Sequence, residues 1–193
     1  MLSDKRILTI GLASCFFEGS MYLFVFFWTP ALKATRIALP TTIPPTSPDL
    51  PFGMIFASFM GSVMLGSLLF NFLVTTYASV NPARFLTAIF ALASSTLLIT
   101  VISKDERMTF WSFCVFEACV GMYFPSIGYL KGKIVDDGIR ARVYGMLRVP
   151  LNIFVVVALS LTREGNEHRD TVFIACSGFL LLASGVLHSF VGE

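Results

Sequence analysis

From Met1 to Glu193 the chain alternates long apolar blocks with short polar breaks. Six blocks stand out, at residues 7–32, 52–77, 83–103, 108–130, 143–162 and 171–191. A helix crosses the hydrocarbon core of a bilayer with about 20 mainly apolar residues, and each block approaches or exceeds that length. In lipid every backbone N–H and C=O must be satisfied within the membrane, which helices achieve and open strands do not. The pattern predicts an all-α integral membrane fold, with residues 1–193 forming a single bundle of six transmembrane helices. The first block follows Met1 to Arg6 as a signal sequence would. It runs past the roughly 7–15 residues of a signal-peptide apolar region, so it reads as a retained span that can double as a signal anchor.

The breaks carry residues suited to water. Segment 33–51 holds Pro40, Pro44, Pro45, Pro48 and Pro51, which remove backbone donors, and it reads as a Pro-rich surface loop. Asn81-Pro82 marks a turn, 104–107 is wholly charged, 163–170 is polar, and the charged connection 131–142 contains Gly132 and Gly138. An even number of spans places both termini on one side. That side collects Lys5, Arg6, Arg84, Lys131, Lys133, Arg140 and Arg142, against Lys33, Arg36, Lys104, Arg107, Arg163 and Arg169 on the other. The small excess predicts cytoplasmic termini.

Composition strengthens the membrane reading. Hydrophobic residues make up 55% of the chain and charged residues 13%, with a mean hydropathy of +0.78; a soluble domain carries about 25% charged residues. A net charge of +2, with dispersed basic residues, suggests neither a nucleic-acid surface nor a polybasic anchor. Cys15, Cys114, Cys119 and Cys176 all fall in apolar blocks without metal or disulfide spacing and read as packing residues. His168 and His188 have no second ligand at metal-binding spacing, so no metal or other cofactor is expected. Without a catalytic triad, Cys-His pair or phosphate loop, nothing points to an enzyme. Two small-residue rows on the second span, Gly53-Ala57-Gly61 and Ser58-Ser62-Gly66, predict close helix packing.

Three ionisable residues lie where hydrocarbon should be. An ionised side chain costs roughly 2.5–3.5 kcal/mol at a helix centre on insertion scales, so Glu18, Glu117 and Arg148 each mark a functional position. Segment 149–162 alone is too short to span about 30 Å at 1.5 Å per residue. Its helix must start near Val143, which carries Arg148 into the membrane. Tyr144, Arg148 and Asn152 then share one face, beside a kink expected at Pro150. Glu18 shares its face with Gly11, Ser14 and Tyr22, and Trp28-Thr29-Pro30 marks the helix exit. Glu117 is isolated among apolar neighbours, near Cys114, Gly121 and Phe124. Arg148 suits either an oxyanion, through its planar fork of donors, or an ion pair with one of the glutamates. The glutamates suit either structural pairing or proton coupling. Two acids against one base make a poor anion site, so either a glutamate is protonated or cations come from polypeptide outside the chain.

Residues 17–30, from Phe17-Glu18-Gly19 to Trp28-Thr29-Pro30, 52–60 beginning Phe52-Gly53, 117–126 ending Phe124-Pro125-Ser126, and Arg148-Val149-Pro150-Leu151 resemble, in order, the second half of major facilitator superfamily transporters of the molybdate-anion type. The resemblance implies two six-helix halves around a midplane cavity open alternately to either side, this chain supplying the C-terminal half. It implies a plasma-membrane carrier of molybdate or a similar oxyanion, with an N-terminal half or a second copy as partner. Glu18, Glu117, Tyr123 and Arg148 become candidates for binding or gating, joined by Tyr22, Tyr144 and Asn152 on the same helix faces. Asn81-Pro82-Ala83-Arg84 lacks an acidic member, so no acidic–basic latch is expected there. The alternative is a non-transporting six-helix interaction protein or a truncated gene product.

Overall fold

A computed structural model describes residues 5–37, 50–76, 81–103, 105–135, 138, 140–161 and 166–191. They form six helices: α1 (Lys5–Ile37), α2 (Phe52–Thr76), α3 (Pro82–Ile102), α4 (Glu106–Ile134), α5 (Arg140–Leu161) and α6 (Asn166–Val191). Each contains a stretch long and apolar enough to cross a membrane. The fold class is therefore the expected all-α one.

Local chemistry sets several helix ends. Asn81 caps α3 by accepting a hydrogen bond from the Ala83 N–H at 3.1 Å, with Pro82 in the first turn where its missing donor costs nothing. Asp105 caps α4 by accepting from the Met108 N–H at 3.3 Å. Glu106 in the first turn of α4 and Lys131 and Lys133 in the last match the helix dipole.

Two boundaries differ from the sequence pattern. Helix α1 does not exit at Pro30; it runs seven residues further, into the expected Pro-rich loop, ending at Ile37. Ala31, Leu32 and Ala34 are good helix formers, and the Thr35 hydroxyl donates to the Leu32 carbonyl at 2.9 Å. Helix α4 likewise continues past Leu130, so Lys131 to Ile134 belong to the helix, not to the connection. Pro40, Pro44, Pro45, Pro48, Lys104 and Arg163 lie outside the described residues, as do the side chains of Lys5, Arg6, Arg140 and His168.

Helix α4 is the axis of the packing, with 67% of its apolar window buried, against 17% for α2 and 6% for α5. Helices α1, α2 and α3 pack on α4; α6 joins α3 to α1; α5 rests on α1. Phenylalanines fill the centre. Phe24 meets Phe113 and Phe116 at centroid distances of 5.0 and 4.8 Å, and Phe59 of α2 meets Phe113 at 6.3 Å. Such pairs add about 0.5–1.5 kcal/mol each beyond the area they bury. Helices α3 and α6 share a buried serine clamp. The Ser94 and Ser177 hydroxyls lie 2.6 Å apart, and each donates to the other's backbone carbonyl, at 2.9 and 3.1 Å.

The small-residue rows of α2 divide by what they face. Gly53 and Gly61 meet nothing within 4 Å, whereas a Cβ on Gly66 would strike the Ala118 carbonyl of α4. Gly121 of α4 reciprocates, since its Cβ would strike the Val63 carbonyl of α2. Gly121→Ala therefore has to push two backbones apart. We expect it to cost about 1–3 kcal/mol, as overpacking does, seen as a lower detergent unfolding temperature, while Gly61→Ala, with open space for its methyl group, does not lower that temperature.

Candidate functional site

An open cavity of about 390 Å³ lies where α1, α4 and α5 meet. Ser14, Cys15 and Glu18 line it from α1, Phe124 and Lys131 from α4, and Tyr144, Arg148 and Leu151 from α5. The helical repeat explains the grouping. Ser14 and Glu18 are four apart, Phe124 and Lys131 seven, Tyr144 and Arg148 four, so each set occupies one face of its helix.

The centre of the site is an ion pair that the sequence pattern did not anticipate. Lys131 Nζ lies 3.7 Å from Glu18 Oε1, with side-chain exposures of 15% and 21%, so the pair is largely withdrawn from water. The same Oε1 accepts a hydrogen bond from the Tyr123 hydroxyl at 3.0 Å. Tyr123 is fully buried and stacks on Phe17 with ring centroids 4.0 Å apart, which fixes where its hydroxyl points. Lys131 also lies over the Tyr144 ring, 5.5 Å from its centroid, within cation–π range. Glu18 is thus held from α4 by a cation and a hydroxyl, and Lys131 bridges from α4 to both α1 and α5.

Arg148 lies in the wall of this cavity and is exposed. It makes no ion pair with Glu18 or Glu117, which was one of its two readings; Lys131 is the cation beside Glu18. The charge balance changes with it. Lys131 and Arg148 outnumber Glu18 in the cavity wall by one positive charge. The excess negative charge counted along the membrane helices included Glu117, which lies outside the cavity, and left out Lys131.

Of the other sequence candidates, Tyr144 lines the cavity and Tyr123 supports it from behind. Tyr22 is exposed one turn beyond Glu18 and does not line it. Asn152 is exposed on α5, one turn beyond Arg148, and also lies outside the cavity wall. Glu117 is elsewhere altogether. It is buried in α4 beside Ala118 and one turn from Gly121, the two positions that meet α2, and has no hydrogen-bond or ion-pair partner among the described residues. No cluster of metal-ligating side chains occurs among the described residues.

The family model described as sugar transporters, 12 TM, matches residues 1–112, more than half of the chain. The chain belongs to this major facilitator family. A molybdate-anion transporter of Takifugu rubripes is 31% identical over the whole chain, one of Danio rerio 28% over 95% of it, and one of Xenopus tropicalis 25% over 95%. The chain spans 37%, 38% and 39% of their respective lengths. No solved structure matches significantly. A six-helix unit of an integral membrane transporter fold accounts for the family match and the six spans together.

The geometry makes Lys131 the residue on which the site's stability turns. Lys131→Met strands the Glu18 carboxylate. We expect a loss of about 1–2 kcal/mol in detergent unfolding, less than the roughly 3–5 kcal/mol for a fully buried pair because this one retains some solvent. Lys133→Met, two residues on and exposed, should cost no more than its helix-dipole contribution of about 0.3–1 kcal/mol, and Glu18→Leu combined with Lys131→Met should lose less than the sum of the single changes.

Proposed function

We propose that this chain is the C-terminal half of an alternating-access secondary carrier for molybdate or a closely related oxyanion, and that the cavity between α1, α4 and α5 is part of its substrate site. The observation that carries this reading is the placement of two cationic side chains of different helices, Lys131 near the end of its span and Arg148 within its own, in one open cavity. Arg148 stands seven residues inside its span, about 10 Å along the helix axis. A guanidinium offers a planar fork of donors that matches a pair of oxyanion oxygens, and an ammonium adds a mobile point charge. The relatives named as molybdate-anion transporters supply the anion class.

The partner in this reading is a second six-helix unit, either an N-terminal half or another copy. Arg148 and Asn152 are exposed at depths where hydrocarbon would not solvate them. They support a cavity-facing or protein-facing side for α5, with the second unit as the opposite wall. The six helices act as one bundle, and the termini are cytoplasmic in a plasma-membrane carrier.

The test is uptake in cells lacking their own molybdate carrier, expressing the carrier that contains this chain. Uptake should rise on expression. Arg148→Ala and Lys131→Ala should each lower it roughly ten- to hundredfold, as loss of a charge-assisted contact does, at unchanged membrane abundance. Lys33→Ala, at the far end of α1, should leave it intact. Uptake that never rises, or that survives both cavity substitutions, removes the proposal.

A further inference from the structure

The cavity holds its own anion. Glu18 already occupies the ammonium that an incoming oxyanion would use, at 3.7 Å, and is itself fixed by the Tyr123 hydroxyl at 3.0 Å. Any anion entering against Lys131 and Arg148 must therefore share them with a carboxylate or see that carboxylate neutralised. The charge count then separates two kinds of ligand. With Glu18 ionised, the wall's single excess positive charge balances a monovalent anion. With Glu18 protonated, the two cations balance a divalent one.

Resting on the substrate reading above, we propose that Glu18 is an exchangeable internal counter-ion: a divalent tetrahedral oxyanion binds together with a proton on Glu18, whereas a monovalent anion of the same shape binds without one. The step is a simple protonation. The carboxylate takes a proton from water in the open cavity, releases Lys131 to the oxyanion, and keeps the Tyr123 hydrogen bond through its carbonyl oxygen. The new carboxylic O–H becomes a donor available to an oxyanion oxygen, a role the carboxylate could not fill.

The other ionisable groups facing Glu18 are Cys15 on α1, Tyr123 and Lys131 on α4, and Tyr144 and Arg148 on α5. Helix α6 also packs on α1 but contributes no ionisable group to the cavity wall among the described residues. Glu117, the other membrane carboxylate, lies outside the cavity and serves as an internal control.

The experiment measures anion binding and proton uptake together, using the complete carrier that contains this chain, in lipid nanodiscs in weakly buffered solution, with molybdate as the divalent probe and perrhenate as the monovalent tetrahedral one. Molybdate binding should take up about one proton per anion, and its Kd should rise by up to about tenfold per pH unit as pH increases, because the bound state holds the extra proton. Perrhenate should bind with no proton uptake and a flat pH profile. Glu18→Gln, whose amide oxygen can still accept from Tyr123, should bind molybdate without proton uptake. Glu18→Asp and Glu117→Gln should keep it. Molybdate binding without proton uptake in the unmodified chain, or undiminished uptake in Glu18→Gln, overturns the counter-ion role while leaving the substrate site standing. Binding of neither anion removes the site and this inference with it.

Discussion

Hydrocarbon does not solvate a charge, and that constraint organises the bundle around Glu18. A carboxylate eleven residues into the first span needs a cation or a donor within reach, and α4 supplies both, Lys131 at 3.7 Å and Tyr123 at 3.0 Å. The pair fixes the relation of α1 to α4 at one end of the bundle, while Phe17, Phe24, Phe113 and Phe116 fix it through the middle. Tyr123 belongs to both arrangements, since its ring lies in the aromatic core and its hydroxyl in the polar site. A rotation of either helix that repacked the aromatic core would also break the carboxylate's partnership.

The two poorly buried helices are unlike each other. Helix α2 carries no charged residue and, besides the Phe59 contact, touches α4 through backbone at Gly66 and Gly121, a close approach without side chains between. Exposed residues such as Met64, Leu65 and Phe72 suit lipid or an apolar neighbour. Helix α5 exposes Arg148 and Asn152 beside Val149 and Ile153, a mixture that suits a water-filled space or a polar neighbour. It rests on α1, where a Cβ on Gly11 would meet the Leu147 side chain and one on Gly19 the side chains of Phe154 and Leu151, with no backbone atom among them. The wall carrying Arg148 is thus the one least constrained by backbone contact.

Span length and composition made six helices legible, helix spacing placed Tyr144 with Arg148, and its charge inside the first span marked Glu18 as a candidate. What the sequence pattern hid was Lys131. A lysine beside Gly132 and Lys133, at the end of an apolar block, has the signature of a loop, and only the continuation of α4 to Ile134 turns it inward. The seven-residue spacing from Phe124 was the available signal, because it sets Lys131 on the face that follows Tyr123-Phe124. Pro30 misled in the opposite direction, as a breaker that the helix runs through. Glu117 showed the limit of burial as a guide: like Glu18 it is a carboxylate inside a span, yet it lies beside the α2 crossing and away from the cavity. Spacing within one helix cannot say which neighbour a face will meet.

The most direct measurement is ligand protection at a cavity position that carries no charge. With Cys15, Cys114, Cys119 and Cys176 replaced by alanine, Gly145→Cys places a thiol beside the cavity, and Val149→Cys places one on the exposed part of α5 outside it. An oxyanion site between Lys131 and Arg148 requires molybdate to slow modification at 145 by a small water-soluble thiol reagent and to leave 149 unaffected. Equal rates with and without molybdate at both positions would contradict it.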